Sequence, residues 1–236
     1  MREYYEDLKD IPIRNKFERS ATGNFMVRKK NITGDFAQRV VDEVFLKDND
    51  YLKRYPDPLK KTRDRALGTL LSNSLAEALN IRAFPGASKK MPELNVSSLH
   101  LAHHPRFNYN PGRYQIFSFF THEREFDLTR RSRVEYLIGF MKRAFRVLKP
   151  EFGWCDLYDY LLKFDKKDPR EGAFGLMFYG KEMVEQLGRD RILGAPVYAA
   201  EEMGNGIMLQ LVEHPFSIQR VKVRNQLIKH LGLKRE

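Results

Sequence analysis

A glycine–asparagine–glycine triplet at residues 204–206 constrains the fold of this chain more than any other feature. Asn-Gly readily adopts the positive φ angles of a tight turn, and apolar segments flank the triplet at residues 197–203 and 207–212. This pattern is typical of two antiparallel strands joined by a short loop. It predicts a β-hairpin in the last quarter of the chain.

Further strands are predicted upstream of this hairpin. Residues 94–101 and 113–121 have strand-like patterns, and the second of them is rich in aromatic side chains. Residues 105–112 between them contain two prolines, two asparagines and a glycine, which predicts an antiparallel hairpin with a long loop. Residues 173–179 form another predicted strand, whereas the apolar run at 152–164 fits neither the helical nor the strand period.

Apolar residues recur at helical spacing in five other segments, and each is predicted to be a helix. These segments are 33–45, 58–80, 132–148, 181–187 and 217–231. Thr33 or Asp35 is placed to cap the first helix, and Ser132 with Glu135 has the spacing of a capping box at the start of the third. The apolar face predicted for the last helix includes Val221.

Strand pairs with helices before and after them predict the α+β class, with antiparallel strand pairs packed against helices. Parallel βαβ units would instead require single strands and helices in strict alternation. The order helix, strand, strand, helix occurs twice, at 58–148 and 181–231, which suggests a two-fold repeat. No Gly-, Ser- or Pro-rich linker divides the chain, so we predict an irregular N-terminal segment over 1–32 and a single α+β domain over 33–236.

The chain is basic, with 42 Lys and Arg against 31 Asp and Glu and a net charge of +11. Such a balance favours attraction to nucleic acid, anionic membrane surfaces or acidic protein partners. The basic residues form short clusters within mixed-sign sequence, so a solvated surface is the simpler interpretation. A nucleic-acid surface remains an alternative on one predicted helix, and its candidate residues are Arg130, Arg131, Arg133, Lys142, Arg143 and Arg146.

Three features predict a cytoplasmic protein. The chain has a single cysteine, Cys155, which cannot form an internal disulfide. The first residues lack the basic and apolar regions of a signal peptide. No run approaches the roughly 18 consecutive apolar residues of a membrane span, so none is predicted.

Residue types that often carry chemistry are present without a converging pattern. His100, His103 and His104 are close in sequence and make a metal-dependent enzyme an alternative reading. In a strand, however, His103 points to the opposite face from the other two. Cys155 has no base beside it in the sequence, paired carboxylates such as Glu201 and Glu202 fit solvated positions, and no phosphate-binding glycine motif occurs. We therefore predict no catalytic residues, no metal site and no cofactor.

The C-terminal third of the chain resembles the bacterial polymorphic-toxin immunity proteins, especially the immunity protein 52 family. The resemblance lies in FGLMFYG (174–180), Met183–Val184, Leu187–Gly188, ILGAPVY (192–198), EEMGNGIMLQL (201–211), EHPF (213–216) and, upstream, PEFGW (150–154). It implies a cytoplasmic antitoxin that neutralises a cognate toxin by stoichiometric binding and performs no catalysis.

On this resemblance, the expected partner is a protein toxin. Because immunity proteins complement the charge of their toxins and this chain is basic, we expect the partner to be acidic or neutral. Aromatic and charged residues commonly anchor such interfaces, so Trp154, Glu201 and Glu202 are the expected partner-binding residues. A nucleic-acid-binding protein and an unrecognised metal-dependent enzyme are the competing interpretations.

Overall fold

The computed structural model describes residues 21–47, 60–61, 63–64, 67–68, 98–100, 113–121, 128–157, 168–217 and 219–233. Within these residues, seven strands form one antiparallel sheet in the order β2-β3-β1-β4-β5-β7-β6. The strands are β1 (Ala21–Arg28), β2 (Ser98–His100), β3 (Tyr114–Phe120), β4 (Phe152–Leu157), β5 (Leu176–Tyr179), β6 (Ala199–Met203) and β7 (Gly206–Gln210).

Helices cover both faces of this sheet. They are α1 (Gly34–Arg39), α2 (Arg131–Leu148), α3 (Lys181–Leu187), α4 (Arg189–Leu193) and α5 (Arg220–Leu231). A π-helical segment, Val40–Phe45, continues α1. The prediction of an α+β fold with antiparallel strands packed against helices is confirmed. No helix within the described ranges is long and apolar enough to cross a lipid bilayer.

The prediction of an irregular segment over residues 1–32 is wrong for the part that forms β1. This strand lies between β3 and β4 and is buried along almost its whole length. A strand covered on both faces does not show the alternation of apolar and polar residues that marks a half-exposed strand. Residues 1–20 lie outside the described residues, and the single-domain assignment stays a prediction.

The two faces of the sheet have separate apolar cores. On one face, α1, the π-helical segment and α2 pack against phenylalanines of the central strands, with Phe25 at 5.8 Å from Phe119 and Phe119 at 5.1 Å from Phe140, both edge to face. On the other face, α3, α4 and α5 cover Trp154, which stacks on Phe152. The protein therefore has three layers, with the sheet in the middle.

The ends of several elements differ from the sequence expectations. Thr33 caps α1 as predicted, since its hydroxyl accepts a hydrogen bond from the Phe36 N–H at 3.3 Å. The predicted capping box is wrong, because α2 already begins at Arg131 and no side chain caps it, so that Ser132 lies inside the helix. Of the helix predicted over 58–80, the described residues between 60 and 68 are helical.

The strand pairing of the two predicted hairpins is confirmed, with shorter strands than expected, and the loop predicted over 105–112 lies outside the described residues. In the first hairpin, residues 98–100 form strand pairs with residues 118–120, so β2 covers only part of the predicted strand. In the second, Met203 pairs with Gly206, and the loop consists of Gly204 and Asn205. The positive φ belongs to Gly204, at 66°, and not to Asn205. Glycine at the first loop position is the preference of a type II′ turn, which matches the twist of the strands.

The buried face of α5 is polar at its N-terminal end, contrary to prediction. Arg220 and Arg224 are buried, whereas Val221 is half exposed. The cause is Asp156, a fully buried residue of β4, whose carboxylate lies 3.2 Å from both guanidinium groups.

The Asp156 carboxylate also organises the backbone around it. It accepts hydrogen bonds from the N–H of Gly175 at 2.9 Å and of Leu157 at 2.7 Å. Arg224 additionally donates to the carbonyl of Ala173 at 2.6 Å. This network attaches α5 to the central sheet through charge-assisted hydrogen bonds.

We predict that Asp156→Asn destabilises the protein by about 3 kcal/mol or more, because the two buried arginines lose their shared counter-charge. Urea unfolding monitored by circular dichroism measures the change. Glu202→Gln is the matched control: Glu202 forms an ion pair with Arg189 at the surface, and its loss changes stability by about 0.5 kcal/mol or less. Equal effects of the two substitutions would contradict this account of Asp156.

Candidate binding groove

One end of the sheet collects the ends of four neighbouring strands. In the antiparallel register, Phe152 at the start of β4 pairs with Tyr179 at the end of β5, which pairs with Ile207 near the start of β7. The hairpin turn after Met203 completes this end. The C-terminus of α2 lies beside these residues, and a groove of about 400 Å³ opens between them. We call it the strand-end groove.

The strand-end groove is lined by ten residues from three separate segments of the chain. They are Phe145, Arg146, Lys149, Pro150, Gly180, Lys181, Met203, Gly204, Asn205 and Gly206. Its volume is within the range typical of ligand and peptide sites.

Two glycines allow the walls of the groove to approach closely. A Cβ at Gly180 would lie 2.0 Å from the carbonyl oxygen of Pro150, and a Cβ at Gly206 would lie 2.6 Å from that of Tyr179. Because these contacts are with backbone atoms, no side-chain rotation relieves them. The Gly180 N–H also donates to the Glu151 carbonyl at 2.9 Å, so the segments around Pro150 and Gly180 are held together.

A buried carboxylate fixes the segment that follows α2. Glu151 accepts hydrogen bonds from Arg28 at 2.8 Å, Arg170 at 2.7 Å and the Tyr114 hydroxyl at 2.8 Å. Burial, and then the hydrogen bond to Glu151, raises the pKa of Tyr114, so this phenol stays a donor at neutral pH. The cluster therefore engages both carboxylate oxygens of Glu151 and fixes the segment next to Pro150, which lines the groove.

The rim of the strand-end groove is positively charged. Arg146, Lys149 and Lys181 are exposed, and none of the ten lining residues is acidic. Lys181 lies 3.8 Å from Glu185 in an exposed pair, a distance at which little energy is gained. Lys149 and Lys181 also line an adjoining small cavity that contains Glu151 and Glu182, and both of these carboxylates pair with Arg28. The groove itself thus presents three cations around a floor of glycines, Phe145 and Met203.

The partner-binding residues expected from the sequence do not form a common surface. Trp154 is fully buried in the core, so its assignment to an interface is wrong. Glu201 forms an ion pair with Lys142, and Glu202 forms one with Arg189. Both glutamates lie on β6, at the edge of the sheet, and neither lines the groove.

The six basic residues of the nucleic-acid alternative are dispersed along α2. Arg131 and Arg146 lie about 22 Å apart along the helix axis. Arg131 pairs with Glu213 at 2.6 Å, Lys142 pairs with Glu201, and Arg143 lies over the Phe140 ring. Arg130 and Arg133 also have interactions of their own. The structure brings only Arg146 of this set to the groove, where it meets Lys149 and Lys181.

Among the described residues, the side chains that could act as a nucleophile or bind a metal form no shared site. Cys155 is fully buried, and this burial raises the pKa of its thiol, which disfavours the nucleophilic thiolate. Within the described ranges, no three His, Cys, Asp or Glu side chains are placed to share a metal ion. His103 and His104 lie outside the described residues.

The groove could not be recognised from the sequence, because its residues come from segments far apart along the chain. Lys149 and Pro150 were interpretable only as the end of a helix, and Gly180 only as a break between a strand and a helix. The available signal was the coincidence of Gly180, the 204–206 triplet and Pro150 within the segments that resemble immunity proteins.

Comparison with known proteins gives a distant structural likeness. No family model matches the chain, and no curated protein matches it. Three chains of solved structures do match, among them the Pseudomonas aeruginosa T6SS protein PA0821, with 13% identity and a TM-score of 0.49. That match covers 91% of this chain and 73% of the other.

We predict that Gly180→Ala destabilises the protein by about 2–3 kcal/mol, because the added methyl group overlaps the Pro150 carbonyl. Gly139→Ala is the matched control: it lies on the exposed side of α2, where a Cβ meets nothing within 4 Å. That substitution should stabilise the protein by about 0.5–1 kcal/mol, since alanine favours a helix. Urea unfolding measures both, and a Gly180→Ala protein as stable as the parent would contradict the packing described here.

Proposed function

We propose that this chain is a cytoplasmic immunity protein that neutralises a protein toxin by stoichiometric binding, without turnover, and that the toxin docks over the strand-end groove. The supporting observation is the position of the segments that carry the resemblance to immunity proteins. Pro150, Gly180 and the 204–206 turn come from three of these segments and line one groove. Three segments that each resemble immunity proteins in sequence thus lie next to one another in the structure.

The character of the groove supports binding rather than chemistry. Its described lining residues include cations, glycines and apolar side chains, but no histidine, cysteine or carboxylate that would serve as a general base. The carboxylates close to it are engaged by arginines. A rigid concave site with a charged rim and an apolar floor is the anatomy of a recognition surface.

Nucleic-acid binding is supported less well. A basic groove that follows a nucleic-acid backbone uses many cations in succession. Along α2, Arg131 and Lys142 are paired with carboxylates and Arg143 lies over the Phe140 ring, and the groove itself offers three cations, fewer than such a track uses.

The proposal predicts equimolar inhibition. When the purified protein is titrated against the toxin encoded beside its gene, toxin activity should fall linearly and reach its minimum at one molecule of protein per molecule of toxin. The cause is formation of a complex that occludes the toxin's active site. Light scattering coupled to size-exclusion chromatography measures the stoichiometry, and co-expression measures protection of growth.

Two outcomes would contradict the proposal. The first is protection without a stable complex. The second is inactivation that continues with time at substoichiometric amounts of the protein, because that behaviour belongs to an enzyme acting on the toxin or its product.

A further inference from the structure

Two of the three cations at the strand-end groove occupy positions where another residue would stabilise the fold better. Lys149 follows α2 with φ of 44° and ψ of 53°, a left-handed conformation. Among the described residues it is the only non-glycine with positive φ. Glycine is strongly preferred at this position after a helix, because a Cβ is strained there. A lysine at this position therefore reduces stability relative to glycine.

Lys181 is also unfavourably placed. It is the first residue of α3, close to the positive end of the helix dipole, where acidic residues stabilise and cations destabilise. Its pair with Glu185 has the lysine N-terminal to the glutamate, which is the weaker orientation for residues four apart. The fold gains little from a cation here.

Ordinary helix stabilisation explains only the third cation. Arg146 lies in the last turn of α2, where a positive charge interacts favourably with the negative end of the helix dipole. The dipole of α2 also favours a cation near Lys149, but it does not require a side chain in a left-handed conformation. The dipole of α3 disfavours the positive charge of Lys181 at its N-terminus. Residues that break local rules without a structural gain are expected at functional sites.

The three cations converge on one space. Together with Arg146, Lys149 and Lys181 line a groove of about 400 Å³ that has no acidic lining residue. Gly204, where a Cβ would meet nothing within 4 Å, leaves the wall at the hairpin turn open to the backbone of a partner. The complementary occupant is a short segment with several negative charges.

We infer that the strand-end groove binds an acidic segment of the protein partner, with Lys149 and Lys181 contributing to binding at the expense of fold stability. This inference rests on the proposed function for the identity of the partner, since a toxin is the protein expected to supply the segment. Carboxylates of aspartate and glutamate are the groups recognised. A longer polyanion would need further available cations along α2, where Arg131 and Lys142 are paired with glutamates and Arg143 lies over the Phe140 ring.

The inference is tested with a fluorescein-labelled peptide of alternating glutamate and serine, whose binding to the full chain is measured by fluorescence anisotropy at low salt. Lys149→Gly and Lys181→Gln should each weaken binding by about three- to fivefold, and by about tenfold when combined. Both variants should melt at the same temperature as the parent or higher, because each removes an unfavourable residue. Weaker peptide binding without a lower melting temperature would show that the two lysines act in binding and not in stabilising the fold.

Lys222→Gln is the matched control, since Lys222 is an exposed lysine of α5 that does not line the groove. It lowers the net charge by the same amount and should change peptide binding by less than about twofold. A peptide of alternating glutamine and serine should not bind. Labelled single-stranded DNA and free inorganic phosphate are tested in parallel.

Several results would overturn the inference. They are no detectable binding of the acidic peptide, equal effects of the groove and control variants, or tighter groove-dependent binding of DNA or phosphate than of the peptide. The toxin titration distinguishes this failure from failure of the proposed function. If the double variant still inhibits the toxin at equimolar amounts with unchanged affinity, the function stands and the groove assignment is wrong. If the peptide binds as expected but no toxin is inhibited, the groove assignment stands alone.

Discussion

Burial of the central strands on both faces is the constraint from which the rest of this structure follows. Every residue of β4 and β5 is buried, as is nearly all of β1, so helices must cover the sheet on each side. A sheet enclosed in this way can present functional side chains only at its edges or at the ends of its strands. The register gathers four strand ends at one place, and the strand-end groove lies there.

Sequence reasoning succeeded where the signal was local. Thr33 and the glycine-rich turn act within a few residues of their own position, and both were assigned to the correct element. It failed where distant residues decide the outcome. Trp154 was interpreted as an interface anchor, because sequence alone does not distinguish a buried aromatic residue from an exposed one. Arg220 and Arg224 face the core because of Asp156, which lies 68 positions from Arg224.

The sequence does not locate the groove, whereas the expectation of an acidic partner needs composition alone. The net charge of +11 follows from composition, and a positive charge favours attraction to an acidic partner. The location of the groove depends on the contact between the segments of Pro150, Gly180 and Gly206, and the register of the strands determines that contact. The unusual feature of Lys149 is its positive φ angle, which no sequence pattern indicates. Lys149 and Lys181 stabilise the fold less than other residues would at these positions. We attribute this loss of stability to the proposed role of the two lysines in recognition.

The most direct test of this account is the amide spectrum of the isotopically labelled protein, recorded by NMR with and without an equimolar amount of the toxin that we propose as its partner. The largest shift changes should occur at Lys149, Gly180 and Lys181 and in the 203–206 turn, because these residues line the proposed docking site. Changes confined to the β6 edge or to the exposed side of α5, with the groove signals unmoved, would contradict it.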